Sequence, residues 1–360
     1  MDLRDTYDVV IVGSGPAGAG AARALTGSGL RVLLAERHEL PRFKMCSGIV
    51  FPSGRKFIAD HFGPIPDKVL CRPELVRGQR IYRSLDAPSI DVPFAVFDPE
   101  EGMEAEGLNT SRSELDYWLC SQSDAHLVGG YRFDDFEREG REYLVQLQHG
   151  DRQVSVRTSF LVGADGTLSE VRRTAFPGFD DSISFLPNYE EFYLADIDLE
   201  PGWLHLFLDR SITGYFATVF HDEGTIQVVT GAHSQEPVRE YFQAFRSHLE
   251  AKHGLVVKET LDSHGIGLTD MSAQKNYCLG SENLLLVGEA GGFLRGGEGI
   301  TSALTSGKAA GEAILQSVAS GKPAIEHFRE LASDELRTCE MVHERLEAAL
   351  GFNVFKRPLR

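Results

Sequence analysis

Three glycines and one carboxylate near the start of the chain have the types and spacing to hold a phosphate-bearing ligand. They are Gly13, Gly15 and Gly18 in GSGPAG, with Glu36 eighteen residues beyond the last glycine. Gly13 permits a tight turn out of a strand. Gly15 lets the backbone approach a pyrophosphate, and Gly18 lets the next helix pack closely on its strands. That helix presents unpaired N–H groups and a positive dipole end to an anion. Glu36 stands where a carboxylate accepts hydrogen bonds from ribose hydroxyls. A second set lies in PRFKMCSGIV, residues 41–50, where Cys46 follows Lys44. By residue type alone, Cys46 is open to four roles: packing, metal ligation, nucleophilic attack, or contact with a cofactor.

The elements around these residues narrow the choice. YDVVIV (7–12) and RVLLAE (31–36) read as buried parallel strands, with a small-residue helix between them ended by glycines. Strand, G-x-G-x-x-G, helix, strand and acid together predict a dinucleotide site. Strands of a doubly wound sheet end at the ligand crevice, so residues 41–50 start from it and must cross it. FLVGADGTLSEVRR (160–173) and NLLLVGEAGGFLRGGEGITSALTSGKAAGEAI (283–314) repeat the strand-to-glycine pattern, the second leading into a helix from about Gly299. Residues 142–163 read as an alternating hairpin turning at His149–Asp151, then a strand. Between 176 and 270 the pattern changes to alternating aromatic and β-branched residues, which predicts antiparallel strands joined by turns such as HDEG. Val238, Tyr241, Phe242, Phe245 and Leu249 share one helical face. A C-terminal helical segment starts at Ala324.

Composition bounds the function. The 360 residues are 42% hydrophobic and 25% charged, the balance of an ordinary globular protein. The formal charge of -17 opposes nucleic-acid binding. Five scattered cysteines without a C-x-x-C pair, and histidines without H-x-x-x-H spacing, give no disulfide framework and no metal site. No G-x-S-x-G elbow points to a hydrolase. An acidic start without a secretory signal, and no long apolar run, predict a cytoplasmic protein. The tail FNVFKRPLR offers at most a peripheral membrane contact.

The fingerprint, FKMCSG, NTSRSELDYWL, LVGADGTLSEVRR, DRSITGYF and VGEAGGF…EGITSAL together resemble the geranylgeranyl reductase family, closest to its CbrA-type members. These are group-A flavoproteins of the p-hydroxybenzoate hydroxylase fold. The resemblance implies an α/β fold: a Rossmann-like FAD-binding domain (1–75, 98–175 and 275–322), a mostly antiparallel β-sheet substrate domain (76–97 and 176–274) and a C-terminal helical segment (323–360). It implies FAD, with Gly13, Gly15, Pro16, Ala17 and Gly18 at the pyrophosphate and Glu36 at the adenosine ribose. Arg112 approaches the phosphates and Val128 lies beside the adenine. Arg37, Lys44, Cys46, Ser47 and Asp165 belong to the cofactor side. Ser47 stands where the family often has glycine. Glu289 contacts the ribityl side, where most group-A enzymes carry Asp and CbrA-type members carry Glu. Gly297, Gly299 and Ile300 lie at the flavin edge. Independently, Ser111-x-x-Glu114 reads as a capping box that places Arg112 in a first helical turn.

A flavin beside a pocket means redox chemistry. The resemblance implies hydride transfer from flavin N5 to a carbon–carbon double bond of a hydrophobic, isoprenoid-like substrate, with Cys46 over the flavin ring as a catalytic candidate. Without a second nucleotide fingerprint, the reductant is transiently bound NAD(P)H or an electron-carrier protein. Where the family has P-x-x-Y-x-W-x-F-P, this chain has Thr213, Phe216, Thr218, Phe220 and His221. The last four are the substrate-pocket candidates. A monooxygenase acting on a small aromatic and a non-catalytic ligand sensor remain the alternatives. The tryptophan motif of flavin halogenases is absent, as Trp118 and Trp203 stand in other contexts.

Overall fold

The computed structural model describes residues 3–44, 46–94, 105–221 and 224–350. The tail from 352 and the middle of the HDEG turn, 222–223, lie outside the described residues. One sheet has six strands in the order β18 (Gly280–Ser281), β19 (Leu284–Leu286), β12 (Phe160–Gly163), β1 (Val9–Val12), β2 (Val32–Ala35) and β8 (His126–Val128). All but β18 run parallel. Both faces of this sheet are covered, so β1, β2, β12 and β19 are buried at every position.

Helices α1 (Pro16–Leu25) and α6 (Gly299–Ser320) cross on one face of that sheet. Gly307 of α6 lies against the Ala17 carbonyl of α1, and Gly20 of α1 against the Leu304 carbonyl of α6. A side chain at either position would collide with backbone, so the small-residue stretches let the two helices touch. This crossing brings the start of α6 beside the glycine turn. Helices α2 (Pro52–His61) and α3 (Arg112–Ser121) pack around it.

The second large sheet has seven strands: β17 (Val256–Thr269), β13 (Phe185–Asp196), β16 (Thr225–Gly231), β15 (Ala217–His221), β14 (Trp203–Phe207), β5 (Gly78–Tyr82) and β6 (Ile90–Pro93). Its pairings are antiparallel except β14 with β5. Helix α5 (Val238–Lys252) covers one face through Phe242, Phe245 and Leu249, which pack on Tyr189, Tyr193, Ala217, Val219 and Val228. The other face is turned toward the parallel sheet and forms a roof. Two three-stranded sheets complete the β structure: β9 (Arg132–Glu139), β10 (Glu142–His149) and β11 (Arg152–Thr158), then β3 (Ile49–Val50), β7 (Gly107–Thr110) and β4 (Leu70–Val76). Helix α4 (Glu170–Ala175) follows β12, and α7 (Ala324–Leu331) and α8 (Ser333–Leu350) end the described chain. Among the described residues no helix is long and apolar enough to cross a membrane.

Candidate functional site

The register of the parallel sheet assembles the site. Val12 lies level with Ala35 and Gly163, Ala35 with Val128, and Gly163 with Leu286. Gly13, Glu36, Asp165 and Glu289 therefore emerge at one crevice, beyond the carboxyl ends of the strands. Gly13 takes φ +105°, and a side chain there would strike the Ala164 carbonyl. Gly18 is pressed against the Gly13 carbonyl and Leu34. Gly15 is different: only an Arg42 guanidinium nitrogen, at 3.5 Å, lies near an added Cβ. Pro16 opens α1, and no side chain caps its N-terminus, so the N–H groups around Ala17 face that space.

A chain of alternating charge borders the turn. Glu36 accepts from the backbone N–H of Ser14 (3.2 Å) and His38 (3.1 Å), the Ser14 hydroxyl (2.9 Å) and Arg42 Nε (3.0 Å). Burial pushes the Glu36 carboxyl up, but Arg42 and these hydrogen bonds outweigh it and hold the pKa below the ordinary value. Arg42 Nη2 reaches Asp116 (2.9 Å), and Asp116 in turn accepts from Arg112 Nη2 at 3.0 Å. Burial lowers the Arg112 pKa, yet Asp116 and Cys46 together raise it above the ordinary value. Arg112 opens α3, but Ser111 pairs with the Ser113 hydroxyl and Glu114 with Lys68, so the expected capping box does not form. Arg42 and Asp116 escaped the sequence reading. The four-residue spacing of Arg112 and Asp116 was the available signal for one of them.

The remaining cofactor-side residues divide. Val128 is buried, and its carbonyl accepts the Glu36 N–H. Arg37 points outward and pairs with His38, because its extended neighbour Glu36 points inward. Asp165 spends both oxygens at the start of α4, accepting from Ser169 Oγ and the N–H groups of Glu170 and Val171. Glu289 sits in a short 3-10 turn. Its Oε2 accepts from Thr167 Oγ1 (2.9 Å), and its buried Oε1 has no hydrogen-bond partner. Fully buried Arg172 ties the two loops together, donating to the carbonyls of Ala290 (3.0 Å) and Thr167 (2.9 Å). Gly299 and Ile300 start α6, and an added Cβ at Gly297 meets nothing within 4 Å. Glu298, which precedes Gly299, is held by Ser53 and Thr301, and the neighbouring Arg295 is paired with buried Glu335 of α8.

Lys44, Cys46 and Ser47 lie in the loop that crosses from crevice to roof. Phe43 packs edge-on against Phe192 of β13 and lies near His264 of β17. On the roof, alternation puts Phe216, Thr218 and Phe220 on the inner side. Phe216 packs with Leu206 and Ile81, and Phe220 with Leu204 and Phe94. His221 does not join them. It is next in line on the strand and falls on the opposite face, where Nε2 contacts the Leu199 carbonyl (2.5 Å) and the ring lies near His205.

A glycine turn without a side-chain cap, the buried Arg112 and the mostly buried Arg42 beside it, and an unpartnered carboxylate oxygen across the crevice fit a diphosphate ligand that also carries hydroxyls. That combination suits a dinucleotide cofactor. A family model for an FAD binding domain matches residues 6–45. The digeranylgeranylglycerophospholipid reductase of Methanosarcina acetivorans is 27% identical over 348 residues, spanning 91% of this chain and 80% of the relative. Protein CbrA of Escherichia coli K12 is 26% identical over 308 residues, 83% of this chain and 82% of the relative. The fold matches the crystal structure of a geranylgeranyl bacteriochlorophyll reductase-like protein from Thermoplasma acidophilum. There the TM-score is 0.79 and the identity 20%, covering 96% of this chain and 90% of the other. The chain is an FAD-dependent oxidoreductase, and over most of its length it is similar to a digeranylgeranylglycerophospholipid reductase. If FAD binds here, Gly13–Gly18, Arg42 and Arg112 could hold its diphosphate, Glu36 its ribose, and Glu289 a hydroxyl of the chain between.

Proposed function

We propose that the protein is a reductase that adds hydrogen across a carbon–carbon double bond of a hydrophobic, isoprenoid-like substrate. The bound flavin supplies a hydride equivalent, replenished by NAD(P)H or an electron-carrier protein. The observation that carries the reading is the inner face of the roof. Phe216, Phe220, Leu204, Leu206 and Ile81 give it an apolar lining on the side facing the crevice, which favours an apolar chain over a charged substrate. The name of one relative, a digeranylgeranylglycerophospholipid reductase, supports the same class. The membrane contact such a substrate calls for is peripheral.

The test uses the FAD-loaded protein, reduced anaerobically with dithionite and mixed with a digeranylgeranylglycerophospholipid in micelles. Flavin reoxidation with a gain of two hydrogens in the lipid is the expected outcome. Lipid-stimulated oxygen uptake with incorporation of labelled oxygen would replace the reductase reading with a monooxygenase.

A further inference from the structure

The roof holds a buried acid that the arrangement so far leaves unused. Glu190 lies in the middle of β13, between Val229 of β16 and His264 of β17, and is 1% exposed. Its neighbours Tyr189 and Tyr193 belong to the core under α5, so alternation turns Glu190 the other way, toward the crevice. Gln227 Nε2 donates to Oε2 at 2.6 Å, while Oε1 is buried and has no hydrogen-bond partner. Phe43 of the cysteine loop packs on Phe192 and His264, the same patch of roof. Lys44 of that loop acts electrostatically on both Glu190 and Glu289. Glu190 from above and Glu289 from below thus flank the loop that carries Cys46, each with one oxygen unpartnered.

We propose that Glu190 is the acid of this site, holding a proton on Oε1 and giving it to the substrate carbon next to the one that receives hydride. The proposal rests on the reductase reading. In the step the substrate loses one C=C π bond and gains two C–H bonds. One hydrogen arrives with the electron pair drawn from the reduced flavin, the other as the Glu190 proton. Glu190 is left as a carboxylate and regains its proton from water. The environment suits this task. Burial raises the carboxyl's pKa to about 7, although Gln227, Lys44, His264 and Arg112 all pull it down. An acid poised near the working pH is the most effective proton donor. A purely structural Glu190–Gln227 pair would not call for an acid that keeps one oxygen free inside the roof.

Infrared difference spectra of the FAD-loaded protein across a pH titration test the acid directly, without turnover. A protonated-carboxyl C=O band that disappears with a midpoint near 7, is absent in Glu190→Gln and is displaced in Glu190→Asp, supports the proposal. No such band between pH 5 and 9, or a band unaltered by both substitutions, overturns it. In single-turnover reoxidation by the lipid, the wild-type rate should fall above the infrared midpoint. Glu190→Gln should lose about 100-fold and that pH dependence together. An unchanged rate profile in Glu190→Gln overturns the proposal with the reductase reading intact. If lipid never reoxidises the wild type, the reductase reading fails, and the infrared band still decides whether the roof carries the acid.

Discussion

Replacing Arg42 with methionine tests whether the crevice is held by charge. Arg42 is largely buried, with 10% of its side chain exposed, and it joins Glu36 and Asp116, whose side chains are 6% and 3% exposed. Removing one partner of a buried pair costs about 3–5 kcal/mol when the other charge is left alone. Here neither is quite alone. Asp116 keeps Arg112, and Glu36 keeps Ser14 and the His38 N–H. The expected loss therefore falls below that range, at about 2–3 kcal/mol, read as a lower urea midpoint at unchanged slope. Glu36 also loses the interaction that holds its pKa down. In the wild type its stabilising contribution is present above the ordinary carboxylate pKa and is lost as pH falls through the depressed value. The variant should lose that acid-side slope. FAD affinity should fall about 30- to 100-fold, because the same guanidinium flanks Gly15, and 1.4 kcal/mol is tenfold. Affinity should also become less sensitive to salt, measured by flavin fluorescence quenching from low to high ionic strength. Unchanged FAD affinity with a stability loss below about 1 kcal/mol would refute the reasoning.

Three further outcomes follow from the packing. Gly307→Val places a branched side chain on the Ala17 carbonyl, so α1 and α6 cannot cross, and the variant should yield no folded, flavin-binding protein by circular dichroism and absorbance. Glu335→Gln breaks the buried pair with Arg295 and should lower the unfolding free energy by about 3 kcal/mol. An Arg295→Met/Glu335→Leu double variant should recover most of it, which a double-mutant cycle in urea would measure. Glu190 keeps its proton to about pH 7 in the fold and to 4.5 in the unfolded chain. Its favourable contribution is full below 4.5 and lost as pH rises through about 7, so Glu190→Gln should gain about 2.5 kcal/mol on the wild type between pH 5 and pH 8. Parallel stability curves for the two proteins would contradict this.

What the sequence disclosed was local and periodic. YDVVIV-GSGPAG and the acid of RVLLAE carry strand, turn and helix in one short stretch, and level strand ends bring Glu36 to Gly13 without further information. Gly299 opens α6 as the glycine-rich loop implied. Long-range charge was not legible. Arg42 looks like any loop arginine until α3 lays Asp116 beside it, 74 residues away. Glu190 reads as one of two adjacent acids on a strand, and only the position of α5 tells which faces inward. The same ignorance of face misplaced His221, because it directly follows Phe220 and the strand alternates.

The charges at the crevice bear on how a chain of net charge -17 binds an anionic cofactor at all. The field of the whole molecule opposes a diphosphate, so attraction must be local. Glu36, Arg42, Asp116 and Arg112 form a neutral alternating chain in which each cation is held by a carboxylate. The two arginines are therefore kept folded inward without leaving uncompensated positive charge in the core. A diphosphate that arrives at the uncapped end of α1 meets N–H groups and guanidinium edges already aimed at it, and little side-chain entropy remains to be lost. Attraction then depends on exchanging contacts within a preformed cluster and not on long-range steering. Salt should accordingly weaken FAD binding only modestly in the wild type, and the loss on removing Arg42 should exceed the loss on neutralising an exposed cation such as Arg37.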